Sequence, residues 1–129
     1  ETGHFGDQDI AVQGELAQAT TLSALGEKIS RTLLRKPMMI GDPDKPIRRV
    51  AWCTGAAQGY FEAAIQQGVD AYITGEIAEQ NVHAARESGV AFIAAGHHAT
   101  ERYGVQALGD HLAQKFGIQH QFIDIENPV

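Results

Sequence analysis

Residues 91–101 read AFIAAGHHATE. The apolar run from Ala91 to Ala95 has the composition of a strand covered on both faces. It halts at Gly96 and gives way to His97, His98 and Glu101. Two earlier stretches follow the same plan, RRVAWCTG at 48–55 and VDAYITGE at 69–76. Each strand is followed by a helical pattern. Ala57, Tyr60, Phe61, Ala64 and Ile65 form one apolar face closed by Gly68, and a second helix, weaker in stripe, runs from Ile77 to Ser88 before Gly89. Val105, Leu108, Leu112 and Phe116 mark a third, closed by Gly117. Strands alternating with helices predict crossover units, hence an α/β fold with a mainly parallel sheet in a three-layer α/β/α arrangement.

Working outward, IAVQGELAQ (10–18) alternates imperfectly and predicts a short strand. From Thr21 the spacing Leu22, Leu25, Ile29, Leu33 marks one face of a helix that Thr20 or Thr21 caps. Pro37 follows it, MMI (38–40) reads as a short strand, and GDPDKP (41–46) as a turn. At the far end HQFIDI (120–125) predicts a last strand, ended by Asn127–Pro128. The 129 residues, 43% of them hydrophobic, suit a single α/β domain over 1–129 and argue against a disordered tail. The start at Glu1, in the polar stretch ETGHFGDQD, reads as the middle of a longer protein.

Three predicted strands end alike, in Thr54–Gly55, Thr74–Gly75–Glu76 and Gly96–His97–His98. In a parallel sheet those ends share the carboxyl edge, where open α/β sheets bind ligands. His97 and Glu101 lie four apart, on one face of a helix that begins after the strand. Imidazole nitrogen and carboxylate oxygen are ligands of divalent transition metals, so this pair is the candidate metal-binding set. Two ligands do not complete a catalytic site, and the remainder must come from elsewhere. Glu76, on the same edge, is the candidate catalytic residue, in contact with a ligand or a substrate. His98 should point away from His97. Glu79, His83, His111, His120 and His4 carry no pairing that marks a site; His83 reads as a surface residue, His111 as partly buried packing, and His120 as flanking a strand. Cys53 reads as a small buried hydrophobe and Trp52 as core.

A net charge of −6 with no Lys/Arg cluster disfavours a nucleic-acid partner, and no run approaches the ~20 apolar residues that span a bilayer. A single cysteine and no secretory pattern fit a reducing, cytoplasmic setting. Phosphate-binding glycine fingerprints and the nucleophile elbow G-x-S-x-G do not occur.

Four stretches carry a resemblance: VAWCTG (50–55), GVDAYITGEIAEQNVH (68–83), AAGHHATERYGVQAL (94–108) and FIDIENP (122–128). Together they resemble the carboxy-terminal half of the YbgI-like proteins, also called the Nif-three-like or GTP cyclohydrolase I type 2 homologue family. The likeness is good over residues 36–129 and loose over 1–35. It implies a fragment of a larger two-lobed protein with a dinuclear centre of divalent ions (Zn, Fe, Mn or Mg), often in a homo-oligomeric hexamer ring. The first His of GHH and the Glu four residues on, here His97 and Glu101, are the family's carboxy-terminal ligands. The amino-terminal half supplies a His-His pair and an Asp, to which nothing in residues 1–35 corresponds. Metal affinity of the 129-residue chain alone is therefore expected to be weak. Two functions follow as expectations: a metal-dependent hydrolase acting on a nucleotide-like small molecule, or a metal-binding assembly or regulatory protein without turnover.

Overall fold

The structure is a computed structural model that describes residues 10–129. His4 lies outside the described residues. In chain order the elements are β1 (Val12–Thr21), α1 (Leu22–Leu33), β2 (Met38–Ile40), β3 (Pro46–Trp52), a 3₁₀ turn (Gln58–Tyr60) leading into α2 (Phe61–Gln66), β4 (Ala71–Thr74), α3 (Glu79–Ser88), β5 (Ala91–Ala94) and α4 (His97–Phe116). One five-stranded sheet has the order β1-β3-β4-β5-β2. Its three inner strands are parallel, and both edge strands run antiparallel to their neighbours. Helices α2 and α3 join the inner strands, and a parallel pair needs such a crossover. The predicted parallel sheet is therefore its centre, with a reversed strand at each rim.

Alternation along the inner strands sorts the core into two faces. Ala71, Ala91 and Ile93 pack with Leu22 and Leu25 of α1 on one side. Tyr72 and Phe92 pack with Phe61 and Ala64 of α2 and Ala85 of α3 on the other. There Phe61, Tyr72 and Phe92 form an aromatic cluster with centroids 4.8 to 5.9 Å apart. Each such buried ring stabilises the fold by about 1.5–3 kcal/mol relative to exposure. Helix α1 starts where the hydroxyl of Thr21 accepts the Ala24 amide at 3.2 Å, as the capping pattern predicts. Asp70 fastens the opposite end of the sheet, its Oδ2 accepting the amides of Arg48 and Arg49 at 2.8 and 2.7 Å.

Several expectations need correction. No strand forms over residues 120–125; Ile123 and Ile125 are 72% and 73% exposed. The segment lies against α4 instead of beside a sheet edge, with Asp124 Oδ1 3.4 Å from His98 Nε2. Helix α4 begins at His97, directly after the strand as expected, but its apolar stripe does not pack: Val105, Leu108 and Phe116 are 59%, 59% and 62% exposed. The helix leaves the sheet after Ala99, the one residue it buries. The chain after Gly117 folds back along it, tied by His120 to Asp110 (3.0 Å) and by Arg102 to Asp124 (2.8 Å). Trp52 is 41% exposed rather than core: it alternates with Ala51 and Cys53 to the opposite face, at the end of the strand, where its ring lies beside Gly14 of the edge strand β1. His111 is exposed on α4, not packed. No helix among the described residues is long and apolar enough to cross a membrane.

Candidate functional site

The three inner strands end together, and their ladder runs on into the loops. Cys53 N donates to Ile73 O (3.0 Å), Gly75 N to Gly55 O (2.9 Å), Ala95 N to Thr74 O (2.7 Å) and Gly96 N to Gly75 O (2.9 Å). Three loops, each one residue pair beyond its strand, are thus stacked as though still sheet. Gly75 allows the closest of these approaches. A Cβ there would lie 2.6 Å from Gly55 O and 2.7 Å from the Cα of His97, both backbone atoms. Gly55 has φ +69°, and a Cβ on it would strike the Glu101 carboxylate. Thr74, fully buried, donates to Gly55 O at 3.1 Å. The Thr100 hydroxyl accepts the Gly55 amide at 3.0 Å and donates back to Gly96 O at 2.9 Å.

On this platform His97 opens α4 and lies between two carboxylates. Its Nδ1 is 2.6 Å from Glu76 Oε1, and its Nε2 is 3.0 Å from Glu101 Oε2. The predicted convergence of Glu76, His97 and Glu101 is thus met in the geometry. The Glu76 hydrogen bond is the main cause of a raised His97 pKa; partial burial opposes it, and the charge of Glu101 adds to it. With Nδ1–H directed to Glu76, Nε2 is the nitrogen left for other chemistry. His98 faces the other way, its Nε2 3.4 Å from Asp124 Oδ1. Glu79 and His83 are exposed on α3, and His120 pairs with Asp110. Cys53 is buried, and burial with the nearby Glu101 charge raises its thiol pKa, which keeps it protonated and unreactive.

Among the described residues no group of three or more His, Cys, Asp or Glu is arranged to hold a metal ion. The pair His97–Glu101 nonetheless has a fitting donor spacing. Two donors about 2.1 Å from one cation, at a right angle, are about 3 Å apart; Nε2 and Oε2 are 3.0 Å apart. Beside the pair opens a cleft of about 600 Å³, lined by His97, Glu101, Arg102 and the apolar Val105, Phe122 and Ile125. Sequence reasoning missed Thr100 and Gln58. The latter's amide lies 3.4 Å from the second Glu76 oxygen, and no spacing rule marks a partner that a loop brings in.

A parallel-centred α/β sheet with a carboxylate–imidazole–carboxylate row at its carboxyl edge defines the class: an open-sheet α/β protein with a His/Glu row where such sheets gather ligands. The family model Duf34/NIF3 (NGG1p interacting factor 3) matches residues 2–128, and the chain belongs to that family. It is 55% identical over 124 residues to the GTP cyclohydrolase 1 type 2 homolog of Neisseria meningitidis serogroup B, with 96% of this chain and 50% of the relative covered. The homolog of the same name from Pseudomonas aeruginosa is 55% identical over 121 residues, covering 94% of this chain and 48% of the relative. The solved structure of protein ybgI, described as of unknown function, superposes with a TM-score of 0.90 at 45% identity, covering 95% of this chain and 50% of that one. The chain spans about half the length of these relatives.

Proposed function

We propose that His97 and Glu101 supply part of the ligand set of a dinuclear divalent-metal centre in the full-length protein, which acts as a metal-dependent hydrolase on a nucleotide-like small molecule. The observation that carries this reading is the row Glu76–His97–Glu101. A carboxylate on Nδ1 fixes the imidazole so that Nε2 faces the same point as the Glu101 oxygen. The remaining ligands come from the part of the protein that the relatives' greater length represents. Of Zn, Fe, Mn and Mg, the first two suit both the imidazole and the carboxylate, and Mn and Mg chiefly the carboxylate. When bound, such an ion pair supplies Lewis acidity and a lowered pKa for bound water. In this chain, Glu101 offers negative charge, His97 a neutral nitrogen donor, and Glu76 orientation of His97 and a station for a proton. The adjoining open cleft offers Val105, Phe122 and Ile125 as an apolar surface against which a ring or base could lie. The name borne by the relatives, GTP cyclohydrolase 1 type 2 homolog, supports a guanine nucleotide as the first substrate to try. Location in the cytoplasm and a hexameric ring belong to the same proposal.

A second reading, a metal-binding assembly or regulatory protein without turnover, is favoured by the exposed apolar face of α4. The experiment is metal analysis and hydrolysis of GTP and generic phosphoesters by the full-length protein, alongside His97→Ala. The hydrolase reading expects about two bound divalent ions per chain and turnover that His97→Ala abolishes while the fold is retained. Bound metal without turnover on any substrate favours the assembly reading, and unaltered metal content in His97→Ala defeats both.

A further inference from the structure

Gln58 opens the 3₁₀ turn after the β3 loop, and its surroundings are unusual for a glutamine. Its Nε2 is 3.4 Å from Glu76 Oε2, the oxygen that His97 does not use. Its backbone is fixed separately: Asn81, 5% exposed, donates from Nδ2 to Gln58 O at 3.0 Å, while Asn81 Oδ1 accepts the Ala78 amide at 2.9 Å. Asn81 thereby ties the Gln58 turn to the start of α3, immediately after the Glu76 loop. The Gln58 Oε1 atom is buried and has no hydrogen-bond partner among the described residues. Leaving a buried acceptor unpaired is unfavourable, because it loses its water partners without gaining a protein one. Turning the amide over would not relieve it, because Oε1 would then oppose a carboxylate oxygen. The side chain thus forgoes one hydrogen bond to direct its donor at Glu76, and an unsatisfied buried group calls for such an explanation.

We propose that Gln58 is a positioning residue for His97, acting through Glu76: its amide holds one carboxylate oxygen so that the other stays on His97 Nδ1 and Nε2 stays turned toward Glu101 and its ion. The series Gln58–Glu76–His97 is an outer-shell chain of the kind that sets ligand tautomer and orientation. The reach toward an ion rests on the metal reading above; the hold on the imidazole does not. Without the Gln58 donor, Glu76 keeps one fixed partner instead of two, and the Nδ1–H form of the neutral ring loses its advantage over the Nε2–H form.

The test uses the full-length protein with Gln58→Met, which keeps the bulk and removes the donor. The tautomer of His97 is read from imidazole nitrogen-15 shifts in metal-free protein at alkaline pH, assigned by its absence in His97→Gln. Zn²⁺ affinity is read by calorimetry. Wild type should hold the Nδ1–H tautomer, Gln58→Met should move population to Nε2–H, and Zn²⁺ binding should weaken about tenfold or more, with the melting curve still cooperative. An unshifted tautomer in folded Gln58→Met overturns the proposal. A shifted tautomer with Zn²⁺ affinity unaltered in both Gln58→Met and His97→Ala upholds the hold on the ring and overturns the metal reading instead. Should Gln58→Met fail to fold, Gln58→Glu, which keeps the length but presents oxygens to Glu76, is read in the same way.

Discussion

His97 has a carboxylate on each ring nitrogen, and its response to pH follows from that. Its pKa in the folded chain is raised above the ordinary 6.5, chiefly by the Glu76 hydrogen bond. A group whose folded pKa is raised stabilises the fold fully below its unfolded pKa, and that contribution is lost as pH rises through the folded value. Metal-free protein should therefore lose a small part of its thermal stability as pH rises from 6.5 through the raised folded value. His97→Gln should flatten that slope, as melting temperatures across the range will show. The effect stays small because the side chain is 35% exposed and solvent screens the pair. In the proposed metal reading, cation binding would have the opposite dependence, since a metal needs the deprotonated ring. At this scale the sequence was informative where chemistry and spacing coincide: the four-residue step from His97 to Glu101, and the edge position of Glu76. Gln58 and Thr100 were not legible, because their partners lie 18 and 45 positions away across loops.

Among the elements, the three inner strands and their glycine stops were plain in the sequence because each is an apolar run with its own turn. The edge strands were legible as strands but not as reversed ones, since direction depends on connections rather than composition. The HQFIDI segment misled because alternation reports a capacity to pair, whereas the ties that draw it along α4, Asp124 to Arg102 and His120 to Asp110, lie in another element. The stacked loops yield a sharp expectation. Gly75→Ala places a methyl 2.6 Å from Gly55 O and 2.7 Å from the Cα of His97, and backbone on both sides cannot yield. We expect a loss of about 1–3 kcal/mol from this overpacking, measured by urea unfolding, together with displacement of His97 from Glu76. Gly59→Ala, with nothing within 4 Å of the added carbon, is the matched control and should be near neutral.

At the scale of the molecule, the two-sided core is complete around the sheet, yet α4 and the chain after it carry apolar side chains into solvent. Leu108, Phe116, Ile118, Ile123 and Ile125 are 55% to 73% exposed. Exposed apolar surface of this extent favours association. The 129-residue chain alone should self-associate with rising concentration, and Leu108→Lys should shift it toward monomer in light scattering. Its melting temperature should barely change, since a residue 59% exposed contributes little to the core. If Leu108→Lys leaves the mass distribution unaltered, this face is not the cause. The Thr74, Gly75 and Gly96 carbonyls and amides that prolong the sheet have one more consequence. His97 follows directly on the Gly96–Gly75 bond, so its ring starts from backbone already fixed, whereas Glu101 lies beyond Ala99 and keeps a side chain 51% exposed. In the metal reading proposed above, an arriving cation would meet one prepared donor and one adjustable one, and its size would be only loosely prescribed.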